Sequence, residues 1–244
     1  MSNKKLFLIG AGSGDPELIT IKAINALKQC DVLLYDALAN DTLLQYTKPD
    51  CQKIFVGKKK GEHSMAQSSI NELIVSSFDK NNIVGRLKGG DPMIFGRAHE
   101  EIEMAQKNGI EVTVIPGISS YSSLAANYLL PITKRDTSHG FLVMTATDYK
   151  SKLTQHMHEM GKLNITLIIF MGVHLMEEIV ELLKKIRPLD FPVGIFQSVG
   201  LEEEKCVIGT LENIISLKEK NNMGSPSLIV VGEVVKEIQL PSNK

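Results

Sequence analysis

Tryptophan is absent, and aromatic residues make up only 5% of the 244 positions, too few for a surface that stacks nucleic-acid bases. Cysteine is scarce as well. Cys30, Cys51 and Cys206 are odd in number and far apart, which argues against a disulfide framework or a zinc cluster and points to a reducing, cytoplasmic setting. No apolar run reaches the roughly 18 residues of a membrane-spanning helix. The burst that follows Met1-Ser2-Asn3-Lys4-Lys5 is too short for a secretion signal. Excess charge is missing too: the formal net charge is -1, so no bulk field draws the chain to nucleic acid. Arginine is rare, with Arg86, Arg97, Arg135 and Arg187 set against a large excess of lysine. Its planar fork suits fixed contacts to carboxylates, and the first three fall in segments that carry the motifs below.

What is present is an alternation of short apolar runs and helical patterns along the whole length. The runs Leu6–Ile9, Asp31–Tyr35, Lys53–Val56, Ile83–Leu87 and Glu111–Ile115 read as one set of strands. Phe141–Met144, Thr166–Phe170, Pro192–Phe196, Lys205–Ile208 and Ser227–Val231 read as a second set. Between them lie helices, one from about Pro16 or Thr20 to Gln29 and one after Ser64-Met65-Ala66-Gln67, which has the form of a capping box. Continuous apolar strands alternating with helices define an α/β chain with sheets covered on both faces. Ten strands in one open sheet would be at the upper limit, so two domains are expected. The seam is placed at the proline-containing stretch Leu130–Asp136, giving domains 1–131 and 132–244.

Three strand exits in the first half are rich in glycine and proline. They are Gly10-Ala11-Gly12-Ser13-Gly14-Asp15-Pro16, Gly89-Gly90-Asp91-Pro92-Met93-Ile94-Phe95-Gly96-Arg97 and Pro116-Gly117-Ile118-Ser119-Ser120. Glycine lets backbone N–H groups approach a ligand without a side chain in the way, and ligands of parallel sheets bind at the carboxyl edge. Two readings stay open on the residues alone. Asp36, about twenty residues beyond the first loop, is placed like the ribose-binding acid of a dinucleotide site. Against this, the third glycine comes one residue early, and Asp15-Pro16 starts a helix too late to receive a phosphate. No metal-ligand cluster is encoded: His156 and His158 stand two apart in a helical pattern and point to different faces.

Taken together, the motifs resemble the tetrapyrrole methylases, the class III S-adenosylmethionine-dependent methyltransferases, over roughly Leu6 to Val235. The phrases are Gly10 to Thr20, Leu34-Tyr35-Asp36-Ala37-Leu38, Val56-Gly57-Lys58-Lys59, Arg86-Leu87-Lys88-Gly89-Gly90-Asp91-Pro92, Val114 to Ser120, Leu130-Pro131-Ile132-Thr133, Phe170-Met171-Gly172, Gly209-Thr210-Leu211 and Ser225 to Gly232. Tyr35 to Leu38 followed by Val56-Gly57-Lys58 and Gly61-Glu62-His63-Ser64 is similar to the branch acting on uroporphyrinogen III, more than to the precorrin-4, diphthine or ribosomal RNA branches.

The resemblance implies a fold of two α/β domains with mostly parallel or mixed sheets and a methyl-donor site in the cleft between them. It assigns Ser13, Gly89, Gly90, Asp91, Ile94, Ser119, Ser120, Met171, Gly200 and Pro226 to S-adenosylmethionine, with S-adenosylhomocysteine as product. Asp36 falls on the proposed proton acceptor and Lys58 on the proposed donor. The implied reaction is methylation of uroporphyrinogen III at C-2 and C-7, giving precorrin-2, by a homodimer that needs no metal. A later precorrin methylase is the alternative within the family, and an NAD-binding oxidoreductase the alternative outside it. The acceptor is a polycarboxylate, so Arg86, Arg97 and Arg135 are expected to meet it. The chain departs from the family pattern at Ser13, where proline is usual, at Ala98-His99, at Lys134 and at Thr137.

Overall fold

A computed structural model describes residues 4–57, 65–148, 150 and 152–239. The chain contacts divide into two units, Met1–Ser119 and Ser120–Lys244. In the first, strands β1 (Lys5–Gly10), β2 (Val32–Tyr35), β3 (Gln52–Phe55), β4 (Ile83–Lys88) and β5 (Glu111–Ile115) form one sheet in the order β3-β2-β4-β1-β5. Every pairing in it is parallel. Alternation along the strands sends side chains to both faces. Phe7, Ile9, Leu33 and Leu87 pack with Ala23 and Leu27 of helix α1 (Ile21–Leu27). Leu6, Leu8, Leu34 and Val84 pack with Ile70 and Ile74 of α2 (Gln67–Ser76) and with Ala98 and Ala105 of α3 (Ala98–Lys107). Burying a leucine or isoleucine fully contributes about 1.5–3 kcal/mol, and Leu6, Leu8, Ile9, Leu27, Leu33 and Leu34 are all at 0% exposure.

The strand order removes the dinucleotide alternative. In a Rossmann sheet the strand carrying the ribose-binding acid lies beside the strand that opens into the glycine loop. Here β4 intervenes between β1 and β2, so Asp36 is not the neighbour of the first loop. Nor does a helix begin at that loop: Asp15 caps a short 3-10 turn, Pro16–Leu18, through the N–H of Glu17 (2.8 Å), and α1 starts at Ile21 under its own cap, Thr20. Helix α2 also differs from expectation. It opens at Gln67 with Ala66 at the N-cap and no side-chain cap, and Ser64 lies outside the described residues.

The second unit holds α4 (Ser120–Asn127), β6 (Phe141–Thr145), α5 (Met157–Gly161), β7 (Thr166–Phe170), α6 (Met176–Leu183), β8 (Pro192–Gln197), β9 (Lys205–Thr210), α7 (Ile214–Lys220) and β10 (Ser227–Val231). Its sheet runs β6-β7-β10-β8-β9. Only β6 and β7 pair in parallel, and the other neighbours are antiparallel. One face carries α5, α6 and α7 through Met157, Ile179, Val180, Leu183 and Ile214. The other face packs Phe196, Leu228 and Val230 against Leu124, Tyr128 and Leu130. That packing is why α4 and the start of the Leu130–Asp136 stretch belong to this unit. No helix among the described residues is long and apolar enough to cross a membrane.

Candidate functional site

In an all-parallel sheet every strand leaves at the same edge, and the three glycine-rich exits of the first unit meet there. Gly12 and Gly90 exchange backbone hydrogen bonds, with the N–H of Gly90 donating to the Gly12 carbonyl at 2.7 Å. The N–H of Ala11 reaches the Lys88 carbonyl at 2.8 Å. The third loop is tied in by Asp91, whose Oδ2 accepts from the Gly117 N–H at 3.1 Å while Oδ1 accepts from Met93 N–H at 2.8 Å. A methyl group at Gly117 would sit 2.3 Å from the Gly90 carbonyl oxygen and 2.9 Å from the Gly10 backbone. The junction therefore admits no side chain at that point. Gly90 adopts φ +67°, and a Cβ there would meet nothing nearer than the Ser119 Cα at 3.9 Å. The rim is tight where the loops touch each other and open beside Gly90, which fits a small molecule recognised through backbone groups.

The remaining members expected in this unit fall around that junction. Ser13 and Ser119 are buried, at 6% and 7% exposure, and Ile94 is exposed on the second loop. Apolar Met93, Phe95 and Ile118 are exposed on the second and third loops, and Leu38 on the turn after β2; exposed apolar side chains gathered at a rim mark a binding surface. Arg97 is also exposed. It holds φ +55° at the head of α3 and forks onto Glu100 at 2.6 and 2.8 Å. Lys58 lies outside the described residues.

Asp36 ends β2 at the same edge, and its carboxylate is divided between two tasks. Oδ1 accepts from the Leu38 N–H at 3.1 Å, closing a local turn. Oδ2 accepts from Arg86 Nη2 at 3.0 Å. Arg86 departs from its expected role as a substrate contact. It is only 3% exposed, and its other nitrogens donate inward, Nη1 to the Leu87 carbonyl and Nε to Glu101. Glu101, on α3, is at 0% exposure and also receives Lys88 Nζ on both oxygens, at 3.0 and 3.1 Å. Gln67 Nε2 completes its shell at 3.2 Å. Two cations and two carboxylates thus balance inside the domain, as buried charges must. Burial, reinforced by the Arg86 guanidinium, pulls the Lys88 ammonium below the ordinary lysine range, and Glu101 opposes that drift. Removing one member of such a set leaves an uncompensated buried charge, at a cost of about 3–5 kcal/mol.

Glu101 was not among the residues that motif reading selected. The available signal was positional. Ala98, Glu101 and Ala105 share the buried face of α3, and a carboxylate on an apolar helix face is expensive unless it is paired.

In the second unit, Met171 follows β7, Pro226 precedes β10 and Gly200 lies in the turn after β8. Strand pairing brings these ends to one sheet edge: Leu228 is opposite Phe170, and Ser227 is opposite Gln197. The Ser198 N–H donates to the Pro226 carbonyl at 3.0 Å, and the Gly200 N–H donates to Glu204 at 2.9 Å. Met171 is 47% exposed and takes φ +56°, an uncommon backbone state for a non-glycine residue. Ser120 opens α4. Arg135 is exposed, beside Lys134, which pairs with Glu237 at 2.6 Å.

Known proteins share this plan. The sequence model of the family described as "Tetrapyrrole (Corrin/Porphyrin) Methylases" matches residues 5–215. A uroporphyrinogen-III C-methyltransferase of Methanocaldococcus jannaschii is 42% identical over 234 residues, covering 95% of this chain and 96% of that one. A siroheme synthase of Psychrobacter arcticus is 36% identical over 95% of this chain, which spans 42% of that longer protein. Among solved structures, the uroporphyrin-III C-methyl transferase of Thermus thermophilus complexed with S-adenyl homocysteine superposes with a TM-score of 0.81 at 33% identity, covering 96% of this chain and 99% of that one. On the family match and these near-complete relatives, the chain belongs to the tetrapyrrole (corrin/porphyrin) methylases.

Proposed function

We propose that this chain transfers methyl groups from S-adenosylmethionine to C-2 and C-7 of uroporphyrinogen III, giving precorrin-2. The observation that carries the reading is the 42% identity to the M. jannaschii enzyme across 96% of that protein's length. The glycine rim supports it physically, because its open face beside Gly90 suits a donor held by backbone groups. S-adenosylmethionine supplies a methyl on a sulfonium and leaves as a neutral thioether. Holding it is assigned to Ser13, Gly89, Gly90, Asp91, Ile94 and Ser119 in the first unit, and to Ser120, Met171, Gly200 and Pro226 in the second.

The accepting carbon of an electron-rich pyrrole behaves as an enamine: its electron pair forms the new C–C bond, and the ring becomes cationic. Neutrality returns when an adjacent carbon loses a proton, and Asp36 is the assigned acceptor. Arg86 holds the Asp36 carboxylate and so acts on the substrate through it. Arg97 and Arg135, both exposed, are assigned to the substrate carboxylates. Lys58 keeps its role as proton donor on the resemblance alone. A homodimer and a cytoplasmic setting complete the reading, the latter supported by three free thiols.

Calorimetric titration with S-adenosylhomocysteine, followed by a turnover assay on uroporphyrinogen III, tests the proposal. Binding together with a precorrin-2 chromophore is expected. Binding without turnover would move the chain to another substrate of the family, and no binding would end the reading. Asp36→Asn is expected to lower kcat by about 10²- to 10⁴-fold while leaving thioether affinity intact, and a matching loss of affinity would reassign Asp36 to binding.

A further inference from the structure

Among the charged side chains buried beneath the rim of the first unit, Glu101 is the one that every cation there reaches. Its Oε1 accepts from Arg86 Nε (3.3 Å), Lys88 Nζ (3.0 Å) and Gln67 Nε2 (3.2 Å), and its Oε2 accepts from Lys88 Nζ (3.1 Å). None of these three partners belongs to the glycine-rich loops. Arg86 is the relay: with Nε on Glu101 and Nη1 on the Leu87 carbonyl, its guanidinium plane is held at two points, which leaves Nη2 aimed at Asp36 Oδ2. A planar fork held at two corners has little freedom at the third. Side chains fixed in this way by a supporting shell hold a reacting group to the tolerance that turnover requires.

We propose that Glu101 is a positioning residue for the Asp36 carboxylate, acting through Arg86, and that it sets the rate of proton removal without contributing to donor binding. The proposal rests on the reading of Asp36 as proton acceptor. Its physical content is specific. Glu101 supplies the negative charge that lets Arg86 and Lys88 lie side by side at 3% and 4% exposure, and it supplies the anchor for Arg86 Nε. Lys88 carries the charge half of this arrangement, and its stem passes under the second loop, where a Cβ at Gly96 would come within 3.3 Å of Lys88 Cε.

Two variants separate positioning from mere filling. Glu101→Asp keeps the charge and withdraws the carboxylate by one methylene. Glu101→Leu combined with Lys88→Met removes one charge of each sign together with the acceptor of Arg86 Nε, so that the Arg86–Asp36 pair stays balanced but loses its anchor. Both are expected to bind S-adenosylhomocysteine within about threefold of the parent while kcat falls about 10- to 100-fold with little change in KM for uroporphyrinogen, the signature of a misplaced reacting group. Adding Glu101→Asp to Asp36→Asn is expected to cost less than about twofold more, because residues that act as a unit are not additive.

Parent-like kcat in either folded variant overturns the proposal, as does a full multiplicative loss in the combination with Asp36→Asn. Loss of the folded circular-dichroism signal in both variants would overturn it as well, assigning Glu101 to the core alone. Unimpaired turnover in Asp36→Asn by itself would instead sink the underlying reading of Asp36.

Discussion

Gly117 decides, at the scale of one residue, whether the three loops can share an edge. An added methyl would approach the Gly90 carbonyl oxygen to 2.3 Å, and relief by movement would disturb either the Gly12–Gly90 pairing or the bond from the Gly117 N–H to Asp91. Gly117→Ala is therefore expected to cost about 1–3 kcal/mol of stability, as overpacking does, and to weaken S-adenosylhomocysteine binding. Thermal melts and calorimetry check the two effects, and an unchanged melt would mean that the loops part freely. That this glycine mattered was legible in the chain, since glycine at a strand exit marks close approach. Its partner was not: nothing local to Gly117 names Gly10 or Gly90. Asp36 and Arg86 illustrate the same limit. Each was singled out separately, Arg86 as a substrate contact, whereas the fold pairs them across 50 positions.

Elements are held in register by similar devices. Asp31, just ahead of β2, accepts from the N–H groups of Asn82 and Ile83 at 3.0 and 2.9 Å and from Lys48 at 2.5 Å. It thereby clamps β2 to the start of β4 and to the segment before β3. Partial burial works against the charged form of Asp31, but Lys48 and the two N–H groups outweigh it and hold the carboxyl below its ordinary value of 3.8. A depressed folded-state value means that the stabilisation is complete above the unfolded pKa and disappears as pH falls through the folded one. Stability should thus hold down to about pH 4 and decline below it. Asp31→Asn should flatten part of that acid decline and lower the melting temperature at pH 7; melts from pH 7 to 2 on both proteins check this, and parallel curves would refute it. The ten strands were readable from apolar runs because a strand buried on both faces writes its burial into consecutive residues. The N-terminus of α2 was misplaced because a capping-box pattern is local, whereas the position where α2 meets Leu34 and Val84 is set by packing.

At the scale of the whole molecule, near-neutrality has a consequence for binding. With a net charge of -1, the long-range field is weak, and attraction of a polycarboxylate must come from the few basic side chains close to it. Raising salt from 0.05 to 0.5 M, about a threefold shortening of the screening length, should raise KM for uroporphyrinogen severalfold. The same change should leave S-adenosylhomocysteine affinity nearly constant, since backbone hydrogen bonds are little screened. Steady-state kinetics and calorimetry across that range would show it, and equal sensitivity of both ligands would contradict the assigned contacts.

The α/β class, the ten strands and the three glycine exits follow from the sequence itself, because periodicity and backbone permissiveness are properties of neighbouring residues. Strand order, the insertion of β4 between β1 and β2, and the inward turn of Arg86 toward Glu101 were decided by tertiary structure. They depend on which distant segments share a core, and buried charges find their partners only after that core has closed.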